Sequence, residues 1–228
     1  PLTGGRRARI ERTIEMLIAF LDQSDGDADL EPWLSGFDRV SPAPFSLDIG
    51  TTESLVLNAN GGDDDISASA GLSTLISLTI DGGAGNDRIS GGDGNDLLIG
   101  GDDNDFIDGQ RGNDTVFLGA GNDVFQWDPG DGSDIVEGQA GTDTMVFNGA
   151  NINEVYDVSA NGGRVRFTRN IANITMDLNE LERIELNALG GSDTLTVNDL
   201  TGTRVSEVVV NLASAGGGRS ACGEGGQG

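Results

Sequence analysis

Short apolar runs alternate with turn residues along most of the chain. From about residue 46 onward, runs of three to seven residues rich in Val, Ile, Leu and Thr are separated by Gly, Asp and Asn. Runs of this length and composition between turn signals are typical of β-strands. The pattern predicts an all-β solenoid or sandwich with strands at 54–57, 75–80, 144–147, 154–158, 164–168, 173–178, 184–187, 194–197 and 206–212.

Two further segments follow other patterns. The run "VYDVSANGGRVRF" predicts a β-hairpin that turns at Asn161-Gly162-Gly163. Near the N-terminus, apolar residues recur at helical spacing and predict a short amphipathic helix over about 8–22, which we expect to pack on a neighbour. The stripe of that helix is Ile10, Ile14, Leu17, Ile18 and Leu21. The predicted organisation is a helix and acidic linker at 1–45, a solenoid at 46–147 with its core at 82–126, a β-rich flanking segment at 148–212, and a disordered Gly-rich tail at 213–228.

A nine-residue repeat occupies the centre of the chain. In register it reads GGAGNDRIS, GGDGNDLLI, GGDDNDFID, GQRGNDTVF and LGAGNDVFQ over 82–126. Position five is always Asn, position six is always Asp and position eight is always apolar. Two looser copies follow, with Asp134 and Asp143 at position six. A longer similarity relates 55–72 to 184–202, each a strand, an Asn-Ala-x-Gly-Gly turn and a second strand, and favours solenoid coils on both sides of the centre.

The period of nine predicts how the repeats fold. Six residues of Gly, Asn and Asp form a turn, since Gly enters the positive-φ regions freely, and three residues remain for a short strand. One repeat reverses the chain, two complete a coil of 18 residues, and successive coils stack as parallel strands about 4.8 Å apart. Position-six aspartates then fall on two edges: Asp87, Asp105 and Asp123 on one, Asp96 and Asp114 on the other.

The excess of negative charge in the repeat segment indicates that it binds a cation. The chain has a formal net charge of -25, and 81–147 holds fifteen acidic residues against Arg88 and Arg111. Stacked carboxylates together with turn carbonyls are hard oxygen ligands, which calcium prefers. The chain has no histidine and only one cysteine, Cys222, so zinc and copper lack their usual ligands. The sequence argues against nucleic acid as a partner, because no basic patch is available. No apolar run is long enough for a membrane span.

Two other interpretations of the repeats stay open at this point. The segment could be a Gly- and Asp-rich disordered linker, or a β-solenoid that binds no metal. Disorder would not require an apolar residue at every eighth position, which argues against the first interpretation.

The repeats resemble the GGxGxDxUx nonapeptides of the RTX, or hemolysin-type, calcium-binding family. Its longer signature, D-x-[LI]-x4-G-x-D-x-[LI]-x-G-G-x3-D, is met by "DRISGGDGNDLLIGGDDND" at 87–105. The resemblance implies a parallel β-roll with calcium in the turns. By the same resemblance, the side-chain ligands would be Asp87, Asp96, Asp105, Asp114 and Asp123. Carbonyls or turn geometry would come from Gly83, Gly85, Gly92, Gly94, Gly101, Gly112, Gly119 and Gly121. Asp103, Gln110 and Leu118 depart from the glycine pattern.

The resemblance also implies a function. We expect a secreted, extracellular calcium-binding module that folds on binding calcium and has a structural or adhesive role, exported by type I secretion machinery without a cleaved signal peptide. The alternative is the repeat portion of a larger secreted enzyme or toxin. No catalytic or cofactor-binding residue is predicted and we expect no enzymatic activity. Arg164, Arg166 and Arg169, the candidates for a lyase, are interpreted as one solvated face of a hairpin strand.

Overall fold

The computed structural model describes residues 54–69, 71 and 77–212, together with three two-residue strands upstream of them. The strands are β1 Ile14–Glu15, β2 Ala19–Phe20, β3 Ser46–Leu47, β4 Ser54–Asn58, β5 Asp64–Ser67, β6 Ser77–Ala84, β7 Arg88–Ser90, β8 Leu97–Asp102, β9 Phe106–Asp108, β10 Thr115–Gly121, β11 Val124–Trp127, β12 Ile135–Gly141, β13 Thr144–Asn148, β14 Val155–Asn161, β15 Arg164–Arg169, β16 Ile174–Asn179, β17 Arg183–Asn187, β18 Thr194–Val197 and β19 Glu207–Asn211. A 3-10 turn spans Ile171–Asn173.

β1 and β3 pair antiparallel in a separate two-stranded sheet, and the other strands form the two walls of a solenoid. One sheet has the order β18-β14-β15-β16-β12-β10-β8-β6-β4 and the other β19-β17-β13-β11-β9-β7-β5-β2. Neighbours along the coil axis in the repeats are parallel and 18 residues apart, so that Leu97 pairs with Thr115 and Phe106 with Val124. The prediction that two nonapeptides make one coil of a parallel β-solenoid is confirmed.

The core lies between the two sheets and follows position eight of the repeat. Alternation along each short strand points the middle residue inward. The position-eight residues of the five repeats are all fully buried: Ile89, Leu98, Ile107, Val116 and Phe125. The core is aliphatic through the first repeats and aromatic beyond them, where Trp127 stacks on Phe147 with ring centroids 4.0 Å apart.

A hairpin interrupts the stack after β13. Strands β14 and β15 pair antiparallel with Asn161 opposite Arg164, so the loop is Gly162-Gly163, as predicted. The hairpin lies between β16 and β18 in the first sheet. In the second sheet no strand is inserted, and β17 pairs directly with β13 although 34 residues separate the end of one from the start of the other.

Two predictions for the ends of the chain fall outside the described residues. Apart from β1 and β2, the stretch predicted as a helix, 8–22, is not described, so the N-terminal helix is not confirmed. The predicted disordered tail at 213–228 also lies outside the described part. Among the residues that are described, no helix is long and apolar enough to cross a membrane.

Candidate metal centre

The coil stacks the position-six aspartates in two columns. In each column the backbone N–H of one aspartate donates to Oδ1 of the aspartate in the next coil. The first column contains Asp64, Asp87, Asp105, Asp123 and Asp143, at N–O distances of 2.8, 2.8, 2.8 and 3.0 Å. The second contains Asp96, Asp114 and Asp134, at 2.8 and 2.9 Å. The edges predicted for the five repeat aspartates are therefore those observed.

The second oxygen of every one of these carboxylates has no hydrogen-bond partner. Each aspartate is at most 5% exposed. The buried, unpartnered atoms are Oδ2 of Asp64, Asp87, Asp96, Asp105, Asp114, Asp123, Asp134 and Asp143. A buried polar oxygen without a partner is costly, and a buried charge more so, so a regular series of such oxygens is suited to binding cations.

Main-chain carbonyl oxygens lie near the unpartnered Oδ2 atoms of these aspartates. A methyl carbon placed on Gly100 would lie 2.4 Å from Oδ2 of Asp105 and 2.3 Å from the carbonyl oxygen of Leu118 in the next coil. The same test at Gly82 gives 2.3 Å to Oδ2 of Asp87 and 2.7 Å to the Gly100 carbonyl oxygen. Position one must therefore be small at Gly82 and Gly100, because the free carboxylate oxygen and a carbonyl oxygen of the following coil converge on it.

The predicted turn glycines supply the geometry for this approach. Seven of the eight have positive φ, from 89° at Gly92 to 140° at Gly112, while Gly121 does not. Asp103 and Gln110, two of the departures from the glycine pattern, adopt positive φ of 74° and 63° and preserve their turns. Leu118, the third departure, places its side chain in the core.

The electrostatics confirm that these carboxylates are unfavourable as bare anions. Burial, reinforced by neighbouring carboxylates, raises the pKa of Asp105 to about 7 and that of Asp114 to about 8. Burial likewise raises the pKa of Asp96 to about 6. The N–H donors lower these values but do not offset burial. A cation beside each carboxylate would restore the charged form.

The donor set fits calcium. Within the described residues no three Asp, Glu, Cys or His side chains are arranged to hold a metal, so an ion in these turns would depend on carboxylates from stacked coils together with carbonyl oxygens. Calcium accepts such all-oxygen sites with several ligands, whereas zinc favours nitrogen and sulfur. The five predicted aspartates have the position and chemistry for this role, which remains a prediction.

Three aspartates with the same geometry were not among the predicted ligands. Asp134 and Asp143 belong to the looser repeats, and their burial and free Oδ2 match those of the other five. Asp64 was missed, although "NANGGDDDIS" at 58–67 carries the signal: glycines before the aspartate and Ile66, which is 1% exposed, two residues after it.

In the turn before β14, protein groups alone neutralise and hydrogen-bond a buried carboxylate. Glu154 stands where position six would be, beside Gly149, and is fully buried. Arg169 donates to its Oε1 at 2.5 Å, Tyr156 donates its hydroxyl to Oε2 at 2.5 Å, and the Ala150 N–H donates to Oε2 at 2.8 Å. Both carboxylate oxygens are therefore satisfied by the chain itself.

The arginines predicted to share one solvated face do not do so. Arg169 points into the core, with its side chain 4% exposed and its guanidinium 5.2 Å from the Trp127 ring. Arg164 lies on the other face of β15, bound to Glu137 at 2.7 Å and Asp177 at 2.6 Å. The prediction was wrong for Arg169, because an odd separation from Arg164 and Arg166 places it on the opposite face of the strand.

Comparison with known proteins agrees with this geometry. The family model of the RTX calcium-binding nonapeptide repeat matches four times, at residues 56–75, 79–107, 90–125 and 130–151. The chain therefore contains RTX calcium-binding repeats, which form a β-solenoid, and the first match includes the turn of Asp64. No curated protein and no solved structure matches the chain.

Proposed function

We propose that this chain is a secreted calcium-binding module whose β-roll folds when calcium fills its turns, with a structural or adhesive role outside the cell. One observation carries the proposal: eight stacked aspartates each bury a carboxylate oxygen that no protein group satisfies. The RTX repeats that span these turns support calcium as the cation.

Calcium binding and folding are coupled in this proposal. Without calcium, the buried carboxylates either repel one another or must take up protons, and each strand of the repeat coils contributes only one or two apolar side chains to the core. With calcium, the ions neutralise the columns and hold successive coils together. The free energy of binding then contributes directly to the free energy of folding.

The calcium level outside cells suits such a module. Extracellular modules bind calcium at about 10⁻⁴–10⁻³ M, whereas cytosolic sensors need far tighter sites. The module would therefore stay empty inside the cell and fill after export, in agreement with the type I route that the repeats suggest. The net charge of -25 keeps the unfolded chain soluble until then.

Calcium titration of the purified chain tests this function. Far-UV circular dichroism should show strand formation as calcium rises to about 1 mM, and Asp105→Asn should raise the midpoint about tenfold, since a charged ligand contributes roughly 1.5–3 kcal/mol. Asp199→Asn is the matched control, because Asp199 is exposed and contacts only Thr201. A spectrum unchanged up to about 10 mM calcium, well above this range, would overturn the proposal.

A further inference from the structure

The boundary between the repeats and the hairpin segment contains a carboxylate arrangement that resembles the repeat turns. Asp143 ends the first column of aspartates. Its backbone N–H donates to Oε2 of Glu182 at 2.9 Å, although the hairpin separates the two residues by 39 positions. Glu182 thus holds the place that an aspartate of the next coil holds elsewhere in the column.

A main-chain oxygen completes the resemblance. A methyl carbon placed on Gly138 would lie 2.8 Å from Oδ2 of Asp143 and 2.2 Å from the carbonyl oxygen of Glu180. The corresponding atoms at Gly100 are Oδ2 of Asp105 and the carbonyl oxygen of Leu118. Glu180 has a positive φ of 57°, so its backbone turns in the left-handed region as the repeat turns do.

An independent observation indicates that a ligand belongs at this boundary. Asp143 is 0% exposed, and its Oδ2 has no hydrogen-bond partner. Asp123 lies below it in the column and Glu182 above it, and both add negative charge. No arginine of the described residues forms an ion pair with Asp143 or Glu182.

We infer that Asp143, Glu182 and the main-chain carbonyl of Glu180 form a further calcium site, which joins the repeats to the segment that follows them. The inference rests on the proposed calcium-binding function and extends it beyond residue 151, where the repeat matches end. The ion connects β13 to β17 across the inserted hairpin, so calcium holds the flanking strands against the repeat coils.

The opposite edge of the same boundary shows what a turn without a metal looks like. There the carboxylate of Glu154 accepts from Arg169, Tyr156 and Ala150 and has no free oxygen. The site at Asp143 has no such donors. One edge of the boundary is therefore closed by an internal arginine and the other by calcium.

Two substitutions of equal charge test the site. Glu182→Gln keeps an oxygen that can accept from the Asp143 N–H but removes the negative charge. Glu185→Gln is the matched control: it removes the same charge three residues away in β17, where the Glu185 side chain pairs with Arg183 at 3.1 Å and lies outside the proposed site. By isothermal titration calorimetry on the full chain, Glu182→Gln should bind one calcium ion fewer than wild type, and Glu185→Gln the same number as wild type.

The calorimetry distinguishes failure of the boundary site from failure of the proposed calcium-binding function. An unchanged number and affinity of ions in Glu182→Gln, or equal losses in both variants, would overturn the site and leave the calcium sites of the repeats intact. A wild-type chain that binds no calcium would instead overturn the proposed function itself. The two failures are therefore distinguishable.

A measurement on the wild-type chain covers the case in which Glu182→Gln does not fold. Amide hydrogen exchange at 180–184 should slow on calcium addition together with that at 138–143. If calcium protects the repeat coils while exchange at 180–184 is unaffected, no ion is shared across the boundary and the site is wrong.

Discussion

The turn of Asp105 and the turn of Glu154 occupy equivalent places in the coil and neutralise their carboxylates in opposite ways. Asp105 accepts one backbone N–H and leaves Oδ2 buried and unpartnered. Glu154 receives a guanidinium, a phenol and a backbone N–H. The fold thus accommodates both kinds of turn. Under the proposed function, calcium neutralises the carboxylate of Asp105 and the guanidinium of Arg169 neutralises that of Glu154, so calcium dependence would be a property of the individual turn.

The largest effect is expected from removing the internal cation. Arg169→Met leaves the buried charge of Glu154 without its main partner, which costs roughly 3–5 kcal/mol in comparable buried pairs. Urea unfolding at saturating calcium, followed by tryptophan fluorescence, measures the loss. Arg166→Met is the control, since Arg166 is exposed on the other face of β15. Equal losses in the two variants would show that the Arg169–Glu154 pair does not stabilise this turn.

A smaller effect is expected from crowding a calcium turn. The added methyl group of Gly100→Ala would meet Oδ2 of Asp105 and the Leu118 carbonyl at 2.4 and 2.3 Å, and overpacking of this kind costs roughly 1–3 kcal/mol. The calcium midpoint by circular dichroism should rise about tenfold or more. Gly163→Ala is the control, with no atom closer than 4.0 Å. If both variants keep the wild-type midpoint, the oxygens at Gly100 do not bind the ion.

The stability of the metal-free fold should depend on pH through the buried aspartates of the repeat turns. The pKa values of Asp105 and Asp114 are raised to about 7 and about 8 in the metal-free fold. Because the unfolded carboxyls keep the ordinary value of 3.8, the stability that protonation gives the fold is full below about pH 4 and is lost progressively as pH rises from there to between 7 and 8. Without calcium, strand content should be higher at pH 5 than at pH 8.

Calcium affinity should change in the opposite direction. Where the metal-free chain keeps its strands, binding displaces protons from these carboxylates, so affinity should rise by about tenfold per pH unit for each proton displaced. Circular dichroism titrations between pH 5 and pH 8 measure the midpoint. A midpoint independent of pH over the range in which the metal-free chain is folded would show that the buried carboxylates are not the ligands.

The smallest effect is expected at position five. Asn104 donates to Asn86 at 3.2 Å and accepts from the Asn122 N–H at 2.8 Å on the exposed side of the turns. Asn104→Ala should cost about 0.5–1.5 kcal/mol, the net value of such hydrogen bonds, and leave the number of bound ions unchanged. A lost ion in calorimetry would make position five a ligand and extend the site outward.

The repeat period gave the architecture because each level of the pattern agrees with the others. Turn residues, one inward apolar residue and a length of nine are satisfied together only by a coil of 18 residues, so the edges of Asp87 and Asp96 followed from counting. The predicted edge nevertheless began at Asp87, whereas the column begins one coil earlier, at Asp64. The Asp64 N–H donates to Asp87 at 2.8 Å, so Asp87 has a neighbour on each side, as Asp105 has.

The contact between Asp143 and Glu182, at the boundary between the repeats and the hairpin segment, could not be predicted from the sequence. Glu182 reaches Asp143 only because the hairpin of β14 and β15 is inserted in the first sheet while β13 pairs directly with β17 in the second, and no local sequence pattern predicts that pairing. Arg169 was assigned to one solvated face together with Arg164 and Arg166, although strand alternation places it on the opposite face. Its partner, Glu154, follows no repeat consensus, since it is a glutamate in a turn with a single glycine.

Amide hydrogen exchange of the whole chain, with calcium and with a chelator, compares the two kinds of turn directly. With calcium, the N–H groups of Asp87, Asp105 and Asp96, which donate to the carboxylates above them, should be protected. In the chelator they should exchange fast, while the Ala150 N–H, which donates to Glu154, should lose much less protection. Equal protection of the repeat amides with and without calcium would contradict the conclusion that these carboxylates depend on an external cation.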